Sequence, residues 1–83
     1  MHVDGNAAAG LLTQVFARDM TGAHGTCGSC GHNGPLAEAV VYGEAAGTVF
    51  RCPTCDNVLM TLVEAPGRIL ARLAGLRWLA VPV

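Results

Sequence analysis

Lysine is absent from this chain of 83 residues, and arginine supplies all five of its basic side chains. Against six acidic residues the formal net charge is −1. That balance removes the excess of positive charge on which sequence-independent nucleic-acid binding depends. Aromatic side chains are scarce as well: Phe16, Tyr42, Phe50 and Trp78 are the whole set. No apolar run approaches the roughly 20 residues of a membrane span, so no membrane partner is expected. The opening Met1-His2-Val3-Asp4-Gly5-Asn6 lacks the basic start and apolar stretch of a secretory signal, and a cytoplasmic setting is the expectation. There is no His-Glu-x-x-His pair and no Ser/His/Asp arrangement. The chain is not expected to be an enzyme.

What is present has to fold with little core. Hydrophobic residues make up 52% of the chain, but many are alanines, which bury little area each. Residues 1–83 make a single domain, of the size at which a metal or disulfide usually supplements the core. In a reducing compartment, paired cysteines are metal ligands or redox-active thiols rather than structural disulfides.

Residues 4–19 read as a helix. Asp4 or Asn6 offers a short acceptor side chain for the first turn. Ala8, Leu11, Leu12, Val15 and Phe16 then recur at the spacing that makes one buried stripe. Gly10 opposes this by about 1 kcal/mol relative to Ala, and Gly22 gives a stop. Leu36 to Tyr42 and Thr48 to Arg51 are β-prone runs around a Gly-containing loop, the pattern of a hairpin. Val58 to Val63 reads as a third strand, buried on at least one face, and Ala65-Pro66-Gly67 as a turn. In residues 67–83, Gly75 interrupts the apolar pattern, which favours a β-hairpin or strand extension over a helix.

The chemistry lies in the cysteines. Cys27-Gly28-Ser29-Cys30 and Cys52-Pro53-Thr54-Cys55 are separated by 21 residues, and no other cysteine exists. This is the spacing of a four-cysteine metal site. Each Cys-x-x-Cys turn sets two sulfurs on one edge of a tetrahedron, with metal–sulfur bonds of about 2.3 Å for zinc. Backbone N–H groups in the turns bond the sulfurs and spread their charge. Gly31 stands where such a knuckle needs a left-handed backbone, and Pro53 fixes a dihedral in the second turn. Four thiolates close a zinc site and leave no position for a catalytic water. His24 and His32 flank the first pair and would be surplus as ligands.

Residues 26–64 look like a zinc ribbon, two knuckles on antiparallel hairpins with a third strand after the second. The resemblance implies one Zn2+ held by Cys27, Cys30, Cys52 and Cys55. It also implies a small α+β fold, with the N-terminal helix packed on the antiparallel zinc-ribbon sheet of residues 21–64. Val3 to Gly10, Gly34 to Ala39 and Arg51-Cys52-Pro53-Thr54-Cys55-Asp56 together resemble a family of short, uncharacterised actinobacterial proteins. By analogy with other zinc ribbons, the expected role is to dock to a protein partner, in the transcription or translation machinery. Cys-x-x-Cys-Gly followed by Cys-Pro-x-Cys is also the rubredoxin pattern, which implies iron and electron transfer or thiol redox sensing as the alternative. The rubredoxin core is richer in aromatics, and Asp56-Asn57 stands here where that family has glycine. A third reading is nucleic-acid contact through Arg68, Arg72, Arg77 and Trp78, set against Trp78 completing the core and the arginines solvating the outer face.

Overall fold

Val41, Phe50 and Met60 stand in one row across neighbouring strands, each almost fully buried. The rest of the chain is arranged around that row in the computed structural model, which describes residues 2–4, 9–20, 22–44 and 47–83. Elements follow in the order β1 (His2–Asp4), α1 (Ala9–Phe16), β2 (His24–Cys27), β3 (Asn33–Pro35), a 3-10 turn (Leu36–Glu38), β4 (Val40–Glu44), β5 (Gly47–Arg51), β6 (Val58–Ala65), β7 (Arg68–Arg72) and β8 (Leu76–Ala80). Five strands form one antiparallel sheet in the order β1-β4-β5-β6-β7, and three form a second in the order β3-β2-β8. Among the described residues, one α-helix and two antiparallel sheets make the small α+β fold that the sequence implies.

Side chains alternate across a strand, so the register divides the larger sheet into two faces. The inner face carries Val41, Phe50, Met60 and Leu62, all buried. Leu12 is buried in the same cluster, and Leu11, Val15 and Phe16 pack against it, so α1 turns its predicted stripe inward. Leu36 and Ala39 of the connection into β4 join this core with Met20, Ala23, Cys27, Cys52 and Leu59. A β-bulge between Phe50 and Arg51 sets Arg51 opposite Val58 and turns Leu59 into the core beside Met60. Pro66 and Gly67 join β6 to β7 in a two-residue turn, with Gly67 at φ 72°. Pro followed by a positive-φ Gly is the type II combination.

Two expectations need correction, the helix bounds and the place of Trp78. The helix does not run over 4–19 but over Ala9–Phe16. Asp4 pairs with Val40 in β1, while Asn6 and Ala8 lie outside the described residues. Pairing between distant segments takes Asp4 into a strand. At the other end, Ala17 adopts φ 57°, a left-handed residue that ends the helix well before Gly22. Of the two arrangements open to the tail, the strands form the extension and not the hairpin: β7 pairs with β6, whereas β8 pairs with β2 in the second sheet. Trp78 does not complete the core. It lies on β8 across from Thr26 and is 71% exposed.

Candidate metal centre

The two cysteine pairs sit in turns of the same construction. In the first, which joins β2 to β3, the Cys27 N–H donates to the His32 carbonyl at 2.8 Å and the Gly31 N–H to the Cys27 carbonyl at 3.0 Å. In the second, which joins β5 to β6, the Cys52 N–H donates to the Asn57 carbonyl at 2.8 Å and the Asp56 N–H to the Cys52 carbonyl at 2.9 Å. The N–H groups of Ser29 and Thr54 each donate to the leading sulfur of their own turn at 3.4 Å. Each turn is closed by a residue with positive φ four positions after its first cysteine, Gly31 at 79° and Asp56 at 65°. Glycine takes that conformation freely, and aspartate is among the few other residues that visit it. Departure from glycine at Asp56 therefore leaves the knuckle intact.

The turns bring all four sulfurs together. Their Sγ atoms lie within 4.8 Å of one another. Across the gap, Cys27 Sγ is 3.7 Å from Cys55 Sγ, and Cys30 Sγ is 3.7 Å from Cys52 Sγ. A tetrahedron with metal–sulfur bonds of about 2.3 Å has edges of about 3.8 Å, so both cross-pairs match. They are far longer than a disulfide bond of about 2.05 Å, and all four cysteines are free. Four thiol donors at ligand separation can hold a metal ion.

The leading cysteine of each pair, Cys27 and Cys52, is buried, and the trailing one, Cys30 and Cys55, is exposed. One half of the site is thus built into the core and the other faces outward. Burial pushes the Cys27 thiol up, but the N–H groups of Cys30 and Ser29 and the thiols of Cys55 and Cys30 oppose it and bring it down to about 6. For Cys30 the His32 N–H acts downward. Desolvation and the sulfurs of Cys55, Cys52 and Cys27 outweigh it and raise the thiol to about 12. The physical reason is mutual: one thiolate in the cluster penalises the next. A bound dication removes that penalty.

Among the described residues the cluster consists of the four sulfurs alone. His24 Nδ1 lies 3.2 Å from the Gly22 carbonyl, to which it donates. His32 closes over Gly34, where a Cβ would meet its Nε2 at 2.9 Å. The sequence reading missed Asn57, whose amide nitrogen lies 3.7 Å from Cys27 Sγ in the other turn. Its signal was positional: Asn57 follows Cys52 at the interval by which His32 follows Cys27. Arg51 braces the second turn, donating to the Asp56 carbonyl at 3.1 Å beside its carboxylate at 3.7 Å.

The four residues of the tail constellation are divided between the two sheets. Arg68 and Arg72 stand on β7 in the larger sheet, whereas Arg77 and Trp78 stand on β8 in the smaller one. Arg77 donates to the Gly28 carbonyl at 3.4 Å. Among the described residues, no helix is long and apolar enough to cross a membrane. No curated protein and no solved structure matches the chain. Over residues 1–83 the chain does match one family profile, and it belongs to that family of unknown function, DUF6510.

Proposed function

We propose that the protein is a zinc-ribbon binding module: one structural Zn2+ is held by Cys27, Cys30, Cys52 and Cys55, and the folded surface docks to a protein partner. The observation that carries this reading is the pair of 3.7 Å cross-distances between sulfurs of opposite turns. They fit a closed tetrahedral ion, and a closed ion has a folding role rather than a catalytic one. The cavity beside the buried pair, lined by Cys27, Cys52, His32 and Leu59 among others, measures about 10 Å³, room for at most one water. A substrate has no inner approach to the metal. Two antiparallel strand pairs, β2–β3 and β5–β6, each interrupted by one knuckle, support the zinc-ribbon reading.

Elemental analysis of reduced, untagged protein tests the metal. One zinc per chain and a colourless solution are expected. A red, iron-bearing protein would replace this reading with a rubredoxin-like electron carrier, and a metal-free folded protein would end both. For docking, a photo-crosslinking side chain on the exposed sheet surface is expected to join the zinc-loaded protein to a discrete protein species in its source cells. The Cys52→Ser variant should not form that product.

A further inference from the structure

The outer face of the five-stranded sheet is apolar where a solvated face would be polar. An antiparallel sheet with one side on the core normally alternates apolar-in and polar-out. Here β6 carries Met60 and Leu62 inward but Val58 and Val63 outward. One outer row runs Tyr42, Val49, Thr61, Arg72 across four strands, and the next sets Val63 directly opposite Leu70. Tyr42 is 38% exposed, Val58 36%, Val63 37% and Leu70 49%. An apolar patch of this kind with a charged border marks an interaction surface.

The charges of β7 have one sign. Arg68 and Arg72 flank Leu70 on β7, both exposed and on its side of the strand, with Cα atoms about 13 Å apart at the usual rise per residue. Among the described residues, neither has an ion-pair or hydrogen-bond partner. Arg51, the third arginine of this face, is already committed. It lies over the Tyr42 ring at 5.6 Å to the centroid and bonds Asp56. Asp56 on this side is thus engaged, and the exposed Glu64 lines the same groove as Arg68 at the turn between β6 and β7.

We infer that this face docks an acidic protein segment that also carries aliphatic side chains, its carboxylates meeting Arg68 and Arg72 and its apolar residues covering Val63 and Leu70. The inference rests on the binding-module reading and names its surface and the partner's chemistry. The two unpaired arginines of β7 call for an acidic occupant. A second copy packed face to face would set this patch against itself, and the test below reads that arrangement as a dimer. Single-stranded nucleic acid is bound through several stacking aromatics, and this face offers aliphatic side chains and a single tyrosine. Interfaces with an apolar centre, tyrosine and a border of arginine are characteristic of protein partners.

The test uses zinc-loaded protein and fluorescent peptides of 12 residues, followed by polarisation. One peptide alternates Glu with Leu, one alternates Lys with Leu, and an oligothymidylate of matching charge is the third probe. The Glu-Leu peptide is expected to bind, and Arg68→Ala with Arg72→Ala, or Leu70→Asp alone, to raise its Kd tenfold or more. Arg68→Glu with Arg72→Glu should lose the Glu-Leu peptide and gain the Lys-Leu peptide, an exchange that only a folded face can show. Circular dichroism and zinc content should match the parent throughout. Binding unchanged in these variants, or no exchange of preference, overturns the inference and leaves the zinc-module reading standing. Tighter binding of the oligothymidylate assigns the face to nucleic acid and overturns it, as does a dimer that Leu70→Asp dissolves. A chain with no zinc removes the reading beneath it.

Discussion

Gly28, inside the first knuckle, donates its N–H to the carbonyl of Gly75 at 2.8 Å. The loop containing Gly75 leads from β7 in one sheet to β8 in the other, so this bond ties the metal centre to the crossing between the sheets. Gly75 also lies directly on the second knuckle's exit: a Cβ built there would overlap the Val58 carbonyl oxygen and press on Leu59 Cα. Backbone, not a flexible side chain, is what blocks it.

Gly75→Ala is therefore expected to destabilise the protein by about 2–3 kcal/mol, in the range of overpacked positions, and to weaken metal retention by displacing the Gly28 contact. Gly43→Ala is the control. Gly43 has open space where its Cβ would be, and surface changes of that kind stay within about 0.5 kcal/mol. Denaturant melts of the two variants, with competition by a chromophoric chelator, separate them.

Removing the metal should largely unfold the chain. Cys27 and Cys52 belong to the same buried cluster as Phe50, Leu36 and Leu59, so without an ion two of the core's members are thiols facing other thiols. The free energy of metal binding in such domains is folding free energy. Chelation is expected to abolish the native near-ultraviolet circular dichroism, and readdition of Zn2+ to restore it. Cys52→Ser should do more damage than Cys55→Ser. Both lose a ligand, but position 52 is 2% exposed and leaves a hydroxyl in the core at a cost of about 1–3 kcal/mol.

The metal site was legible because its signal is local. A knuckle needs only a short segment to place two sulfurs, and twin pairs state that two such segments must meet. Gly31 and the sulfur-bonding N–H groups of Ser29 and Thr54 follow from the same local logic. The helix stripe from Leu11 to Phe16 was equally plain, and so was the turn at Pro66-Gly67. What was lost depends on distant partners. That Asp4 lies beside Val40, and that β7 and β8 part company into different sheets, is decided by pairing across the chain. Trp78 misled for a related reason. An indole is usually worth burying, but its strand lies at the edge of the smaller sheet, and Leu76 and Leu79 of the same strand supply the packing against the core.

Asp56 carries backbone strain that a glycine would relieve. Its φ of 65° places a Cβ in the left-handed region, at a cost of roughly 1 kcal/mol or more for most L-residues. Its carboxylate lies 3.7 Å from Arg51, with the two side chains 71% and 36% exposed, and an exposed pair of that kind contributes about 0–1 kcal/mol. Asp56→Gly should therefore be neutral or slightly stabilising. Asp56→Val keeps the strain, adds β-branching and loses the ion pair, and should destabilise by about 1–2 kcal/mol. A Gly variant clearly less stable than the parent in chemical denaturation would show that the Arg51 contact, not the backbone, governs this turn.

Acid should release the metal and unfold the protein together. The Cys27 thiol, ordinarily at 9.0, is lowered to about 6 in the fold, so between those values the unfolded chain binds more protons than the native one. Stability then rises with pH across that window. The contribution of the Cys27 thiolate is complete above 9.0 and is lost as the pH falls through about 6. Protons compete with the ion for the same sulfurs, which acts in the same direction. Thermal melts of the loaded protein at pH 9, 7.5 and 6 should show a falling midpoint, and a zinc-responsive dye should report release over the same interval. A midpoint that holds steady down to pH 6 while zinc leaves would mean that the sulfurs do not couple the ion to the fold.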